Sequence, residues 1–318
     1  MRNIMKNRKD DSGMSKQSFS KGASSGQQLV FTNNFDKEKF ERKAVIFSDL
    51  HHQTSKVFVL PNVWDALSAK QFELAGAKAI ATTSAGIATI LGYPDGEVMP
   101  KSEMLAIVKR IVSVVDVPVS VDIETGYGRS IMEVCDTVSE VIRLGAVGIN
   151  IEDADPDHAG SLFPIDVQVE KIRAIRQLAN QYGVSLYINA RTDSYWLKAL
   201  KTDACYEETI QRLLAYRDAG ANGVFVPGLT DLAVASKLRE LVGLPINLLG
   251  GAWVEHISQL VDCNINRLSV GSGVSRKVAA STAELAQHIM SEEFINFRCL
   301  EGAMSYQETQ NLFAAVSE

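Results

Sequence analysis

Eight short apolar runs rich in Val and Ile, each followed by a stretch of helical period, constrain this chain more than any other feature. They lie at 57–60 (VFVL), 79–83 (AIATT), 118–122 (PVSVD), 147–152 (VGINIE), 185–190 (SLYINA), 223–228 (GVFVPG), 245–249 (PINLL) and 267–271 (RLSVG). Strands that are apolar throughout are buried on both faces, and helices between them make neighbouring strands parallel. After the third run, Ile131, Val134, Cys135, Val138 and Val141 carry the helical period; after the fourth, Val169, Ile172, Ile175, Leu178 and Ala179 do so. Eight such units predict a closed (β/α)₈ barrel, an α/β fold with an eight-stranded parallel sheet. The competing arrangement is a doubly wound open sheet. No Gly-rich dinucleotide fingerprint follows the first strand, which argues against it.

With 318 residues, 46% of them hydrophobic, the chain can fill one large core. Its 32 Lys and Arg against 38 Asp and Glu give no electrostatic footprint for nucleic acid. No run reaches the ~18 apolar residues of a membrane span, so neither nucleic acid nor membrane is an expected partner. Four cysteines, at 135, 205, 263 and 299, form no CxxC and read as free thiols, which points to the cytoplasm. The first 30 residues hold six Lys or Arg and many Ser, Gly and Gln. Residues 1–35 are therefore expected to be a disordered extension, and 36–318 a single barrel domain with a helical C-terminal segment.

Chemistry in such a barrel belongs at the carboxyl ends of the strands, and there the chain is acidic. The third strand ends in Asp122-Ile123-Glu124, then Thr125-Gly126-Tyr127-Gly128. The fourth ends in Glu152-Asp153 and the fifth in Arg191-Thr192-Asp193. Positions i and i+2 share a strand face, so Asp122 and Glu124 are expected to point together, with Glu152 approaching from the next strand. Converging carboxylates repel unless a cation lies among them, and oxygen ligands suit Mg²⁺ or Mn²⁺. For any single acid, a helix cap or an ion pair is the plainer reading. Arg191 suits a bidentate clamp on a carboxylate or phosphonate, with Asp193 or Glu152 as alternative partners. The backbone of Thr83, Ser84, Ala85 and Gly86 could face an anion, or simply make a tight turn. Asn247, in PINLL, completes the candidate substrate-binding set. Asp65 reads as a helix N-cap. Of the histidines, His158 alone follows a strand-end acid, and it joins Tyr127 as a candidate proton donor.

The segments LPNVWDALSAKQFELAGAKAIATTSAG, LGYPDGE, VSVDIETGYG, NIEDAD, INARTDSYW, GVFVPGL and SVGSG occur in an order that resembles the isocitrate lyase / phosphoenolpyruvate mutase superfamily over about residues 45–290. That resemblance implies a (β/α)₈ barrel, a homo-oligomer (dimer or tetramer) whose last helix packs on a neighbouring subunit, and Mg²⁺ with a small 2-oxo acid at the barrel mouth. It implies that Asp122 is nearest the metal and that Glu124 and Glu152 bind it through water. Glu124 stands where an aspartate is usual. Asp95 corresponds to the acid of a gating loop, Thr83, Ser84 and Ala85 to the segment holding the substrate carboxylate, and Arg191 to the arginine anchoring the substrate.

The departures are as informative. The family's lyases carry a K-K/R-C-G-H loop after the IED strand, with the Cys as acid/base. Residues 153–161 read DADPDHAGS, with neither Lys nor Cys. The lysine and asparagine of the mutase and phosphonopyruvate hydrolase are missing from the same loop. The expectation is a Mg²⁺-dependent carbon–carbon lyase or decarboxylase acting through an enolate on a small 2-oxo or 2-hydroxy carboxylate. The alternatives are a P–C bond enzyme of the phosphonopyruvate hydrolase or mutase kind, and a catalytically weak protein that binds 2-oxo acids.

Overall fold

The structure, a computed structural model, describes residues 35–53, 55–197, 202–291 and 297–314. All of the expected N-terminal extension but Phe35 lies outside the described residues. Nine parallel strands make one sheet: β1 Phe58–Leu60, β2 Asn62–Val63, β3 Ile80–Thr82, β4 Val119–Asp122, β5 Gly148–Glu152, β6 Tyr187–Arg191, β7 Gly223–Phe225, β8 Ile246–Leu249 and β9 Arg267–Ser269. β1 and β2 are halves of one stave. Pro61, with no N–H to give a ladder, separates them: β1 pairs with β9 and β2 with β3. That shared stave closes the sheet, and the expected eight-stave barrel is the result.

The helices follow from local sequence. They are α1 Lys37–His51, α2 Ala66–Leu74, α3 Ser84–Leu91, α4 Lys101–Val114, α5 Ile131–Arg143, α6 Ile165–Tyr182, α7 Thr202–Ala219, α8 Leu232–Val242, α9 Ile257–Asp262, α10 Gly273–Ile289 and α11 Tyr306–Asn311. Asp65 caps α2 in a reciprocal capping box with Ser68, as its position suggested. Ser130 and Glu133 do the same for α5, which then buries Val134, Val138, Val141 and Ile142 on the face its period marks out. α3 is an extra helix that starts directly from the end of β3.

α1 covers the amino-terminal end of the barrel. Phe47 packs edge-on against Phe58 and Tyr187, at 6.1 and 5.3 Å between centroids. Gly148 makes this possible, because a Cβ there would stand 2.9 Å from Phe47 Cε1. By contrast, none of the residues of α10 is buried.

Strand alternation turns an unusual set of side chains inward. Ser120 and Asp122, Asn150, Arg191, Leu249, and Arg267 and Ser269 all line one interior cavity. Above the apolar plug the barrel interior is thus polar, and Asp122, Asn150, Arg191 and Ser269 are held there by side-chain hydrogen bonds. Replacing Phe47 by Ala should keep the barrel but lower its stability by about 3–5 kcal/mol, read as a shifted midpoint in denaturant unfolding at unchanged slope.

Candidate active site

The cavity, of about 140 Å³, opens at the carboxyl ends of the strands. Thr83, Ser84, Ala85, Asp95, Asp122 and Arg191 line it, together with Trp196 and Phe225. Six of the residues expected from sequence therefore meet in one place. Asp122 is fixed on three sides: its Oδ2 accepts from the Ser84 amide (3.2 Å), its Oδ1 from Asn150 Nδ2 (3.0 Å), and its own amide donates to Thr82 Oγ1 (2.8 Å). The first contact places Asp122 against the N-terminus of α3, whose dipole favours negative charge. Thr83 caps the same helix. Gly86 does not line the cavity but is needed in this turn, since a Cβ would meet Thr83 Cγ2 at 2.6 Å.

The expected pairing of Asp122 with Glu124 on one strand face is not what forms. β4 ends at Asp122, and Glu124 lies beyond it at φ 50°, so strand alternation no longer applies. Buried Glu124 turns to Tyr127, whose hydroxyl donates to its Oε1 (2.7 Å), and to the Glu97 amide, which donates to Oε2 (2.6 Å). Burial pushes its pKa up to about 7, and Asp122 and Asp95 add to the rise. Glu152 sits behind Arg191 (2.7 Å to Nη1), and burial drives its pKa well above the usual carboxylate range.

Arg191 is already engaged. Besides Glu152 it binds Asp193 in a fork, Nε to Oδ1 at 2.6 Å and Nη2 to Oδ2 at 2.9 Å. Burial opposes its charge, but Glu152 and Asp193 outweigh that and raise its pKa. Asp193 is placed by buried Asp153, whose Oδ1 accepts the Asp193 amide (2.9 Å). The other Asp153 oxygen takes the Tyr216 hydroxyl (2.6 Å) and Arg212 (3.1 Å).

Among the described residues, no three His, Cys, Asp or Glu side chains are grouped so as to hold a metal ion. The expected ring of Asp122, Glu124 and Glu152 is not assembled, because the last two spend their oxygens on Tyr127, Glu97 and Arg191. The donor chemistry still fits a hard cation with one protein ligand: oxygen donors only, Asp122 facing the cavity, Asp95 at its mouth.

Neither candidate proton donor lines the cavity. His158 is 76% exposed and pairs with Asp155 (2.9 Å) in a small closed loop bridged between Ala154 and Leu162. Tyr127 is occupied by Glu124, and burial with that neighbour raises its pKa. Asn247 lies just behind the wall, donating to Ser269 Oγ (3.0 Å).

The comparisons with known proteins agree with this geometry. The family model described as phosphoenolpyruvate phosphomutase matches residues 47–290. The chain belongs to this phosphoenolpyruvate mutase / isocitrate lyase superfamily. An uncharacterised superfamily relative from Mycobacterium tuberculosis is 38% identical over 226 residues, 71% of this chain and 81% of that one. The 2,3-dimethylmalate lyase of Eubacterium barkeri is 32% identical over 196 residues, 59% of this chain and 60% of its own length. A crystal structure of 2,3-dimethylmalate lyase superposes with a TM-score of 0.74 at 25% identity, covering 86% of this chain and 93% of that one. The superfamily contains lyases and P–C bond enzymes, and the chain is an enzyme of that broad type.

Several site residues escaped the sequence reading. Ser120, Asn150 and Asn189 stand two positions before Asp122, Glu152 and Arg191, and Asn189 Nδ2 donates to Asn150 Oδ1 (2.9 Å). That spacing was the available signal. Glu97 was the least visible. At φ 57°, it reaches across to accept from Thr125 N (2.9 Å), Thr125 Oγ1 (2.7 Å) and Tyr127 N (2.8 Å), and its other oxygen binds Arg129 (2.9 Å). These bonds offset the backbone strain at Glu124 (φ 50°) and Tyr127 (φ 53°). Glu97→Ala should cost roughly 3 kcal/mol of stability and speed proteolysis within residues 92–100, whereas Glu97→Gln, which keeps an acceptor, should cost less. Urea unfolding and limited proteolysis read the two effects.

Proposed function

We propose that this protein is a Mg²⁺-dependent lyase that cleaves a C–C bond in, or decarboxylates, a small 2-oxo or 2-hydroxy carboxylate. The observation that carries the reading is Asp122, an oxygen ligand fixed by Ser84, Thr82 and Asn150 and facing a cavity lined also by Asp95, Arg191 and Arg267. Asp122 would hold the ion directly, with Asp95, Glu124 and Glu152 as the acids around it. When bound, Mg²⁺ supplies Lewis-acid stabilisation of the negative charge that develops on the substrate oxygen.

The chain's own residues orient and protonate. The first turn of α3 presents amide donors to the substrate carboxylate: Ser84 N–H is shared with Asp122, and Ala85 N–H comes next in the turn. Arg191, locked by Glu152 and Asp193, offers its cavity face as a rigid donor. Trp196 and Phe225 wall the mouth and limit water. The proton donor is Asp95, the remaining cavity-lining acid. Partial burial and the charge of Asp122 raise its pKa, which eases proton transfer from its carboxyl, while Arg191 and hydrogen bonds from Gly96 and Ser84 work against the rise. His158 and Tyr127 are not among the residues that line the cavity.

The superfamily's lyase loop is replaced here by a segment closed on itself, which favours a second reading: a 2-oxo acid binding protein of low turnover. A P–C bond enzyme is the remaining alternative. The unburied face of α10 supports assembly with further copies of the chain, and four free cysteines support a reducing, cytoplasmic setting. Assays with oxaloacetate, methylisocitrate and phosphonopyruvate decide the reaction. Turnover of a carboxylate should vanish in EDTA and return with Mg²⁺, and Asp122→Asn should lower kcat/KM by roughly 100-fold or more, a loss of about 3 kcal/mol. Activity indifferent to EDTA would overturn the metal chemistry, stabilisation by ligand without turnover would select the binding protein, and phosphate release would select the P–C enzyme.

A further inference from the structure

The cavity is chemically two-sided. Its polar lining groups come from β9 round through β2 to β6, and include Asp95, Asp122, Arg191 and Arg267. From β7, β8 and the residues that follow them, the lining receives only Phe225, Pro227 and Leu249. Trp196, five residues past the end of β6, completes the lining at the mouth and is 52% exposed. The other two tryptophans differ: Trp64 is buried, and Trp253 is half-buried with its Nε1 donating to the Leu249 carbonyl (3.0 Å). The backbone that carries Trp196 is held on both sides. Ser194 Oγ lies 2.5 Å from Thr209 Oγ1, Cys205 Sγ donates to the Ser194 carbonyl (3.2 Å), and the Leu197 amide donates to the Asp193 carbonyl (2.9 Å). Opposite, in the turn after β7, a Cβ on Gly228 would stand 2.9 Å from Tyr195 O and 3.2 Å from Trp196 Cα. Wedged between α7 and that turn, the indole can adjust only by its own rotation.

A large aromatic ring held half in water at the rim of a cavity exposes apolar surface that contact with a ligand would cover. A ligand here sets its carboxylate and 2-oxygen against the polar side, and its remaining substituent faces β7 and β8. No lining side chain there can hydrogen-bond to that substituent or balance a charge on it, so a polar group would lose water without gaining a side-chain partner. We propose that Trp196 is a specificity-determining residue that caps an apolar subsite made with Phe225, Pro227 and Leu249. The ligand class is then a 2-oxo monocarboxylate with a short alkyl tail, and the indole sets the length of the tail. This rests on the reading of the polar side as a metal and carboxylate site, and adds to it the class and size of the remaining substituent.

The test is calorimetric binding to the full chain with Mg²⁺ present, using oxalate, which has no tail, and the series pyruvate, 2-oxobutanoate, 2-oxopentanoate, 2-oxohexanoate and 2-oxooctanoate. In wild type the affinity should rise by roughly 4-fold per methylene while the tail fits. It should then fall by about 10-fold or more at the first tail that meets the indole. Trp196→Ala should move that break to a longer tail, and Trp196→Phe should move it less. A wild type with no rise or no break overturns the proposal, as does a break at the same length in Trp196→Ala, or weakening that is equal at every length, oxalate included. Should Trp196→Ala fail to fold, an unmoved break in Trp196→Phe overturns it instead. Oxalate that binds as well in EDTA as in Mg²⁺ defeats the metal reading and leaves the length profile to decide this one, whereas a wild type that binds neither oxalate nor any 2-oxo acid defeats both.

Discussion

Charge confined at low dielectric is the constraint on which the rest of this barrel depends. Asp95, Asp122, Glu124, Glu152, Asp153 and Asp193 crowd the carboxyl ends of four strands and their loops, with Arg191 and Arg212 placed among them. Coulomb energies at such separations reach several kcal/mol per pair even at an effective dielectric near 20. The site can exist only if each charge is matched, protonated or hydrogen-bonded. Asp153 is matched by Arg212 and Tyr216, and Arg191 by two carboxylates. The raised pKa values of Glu124 and Glu152 show the second solution at work. Arg267 is fully buried too; its Nη1 contacts His51 Nε2 (3.5 Å), and the charge of Asp122 works against the burial that lowers its pKa.

The same accounting explains why the interior is lined with amide and hydroxyl side chains. Asn189 donates to Asn150, and Asn150 to Asp122. An aliphatic filling would give comparable packing but would leave the Asp122 carboxylate short of donors. Every link in that chain fixes the rotamer of the next, so Asp122 is pre-set before any ligand arrives. The apolar packing that stabilises the barrel is found elsewhere, between sheet and helices and around Phe47.

Much of this was legible in the sequence because it follows from periodicity. Eight apolar runs with helical segments between them specify the barrel, and the barrel specifies which ends carry chemistry. Thr83, Ser84, Ala85, Asp122 and Arg191 were reachable by that route, and Asp95 through the family resemblance. Glu124 was misplaced because β4 stops two residues earlier, and a strand boundary is invisible when the apolar run continues through Ile123. Glu97 and Arg267 were missed for opposite reasons. The first is a non-glycine residue at positive φ that follows Gly96 in a turn, and nothing in that turn's sequence says that its side chain reaches back to Thr125 and Tyr127. The second opens a strand, where an arginine reads as an ordinary surface charge until the closed barrel turns it inward.

The stave interrupted by Pro61 bears on how the molecule is made. It must bond both to β3, some twenty residues away, and to β9, at the far end of the chain. The Asn62 side chain seals the second seam by accepting the amides of Val270 and Gly271, each at 2.9 Å and 208 and 209 positions distant. Such long-range contacts carry the largest loop-closure entropy and form slowly. During synthesis the ring stays open until the last strand leaves the ribosome, and the acidic cluster spends that interval in water. The energetic penalty of gathering those charges therefore falls on the final step of folding.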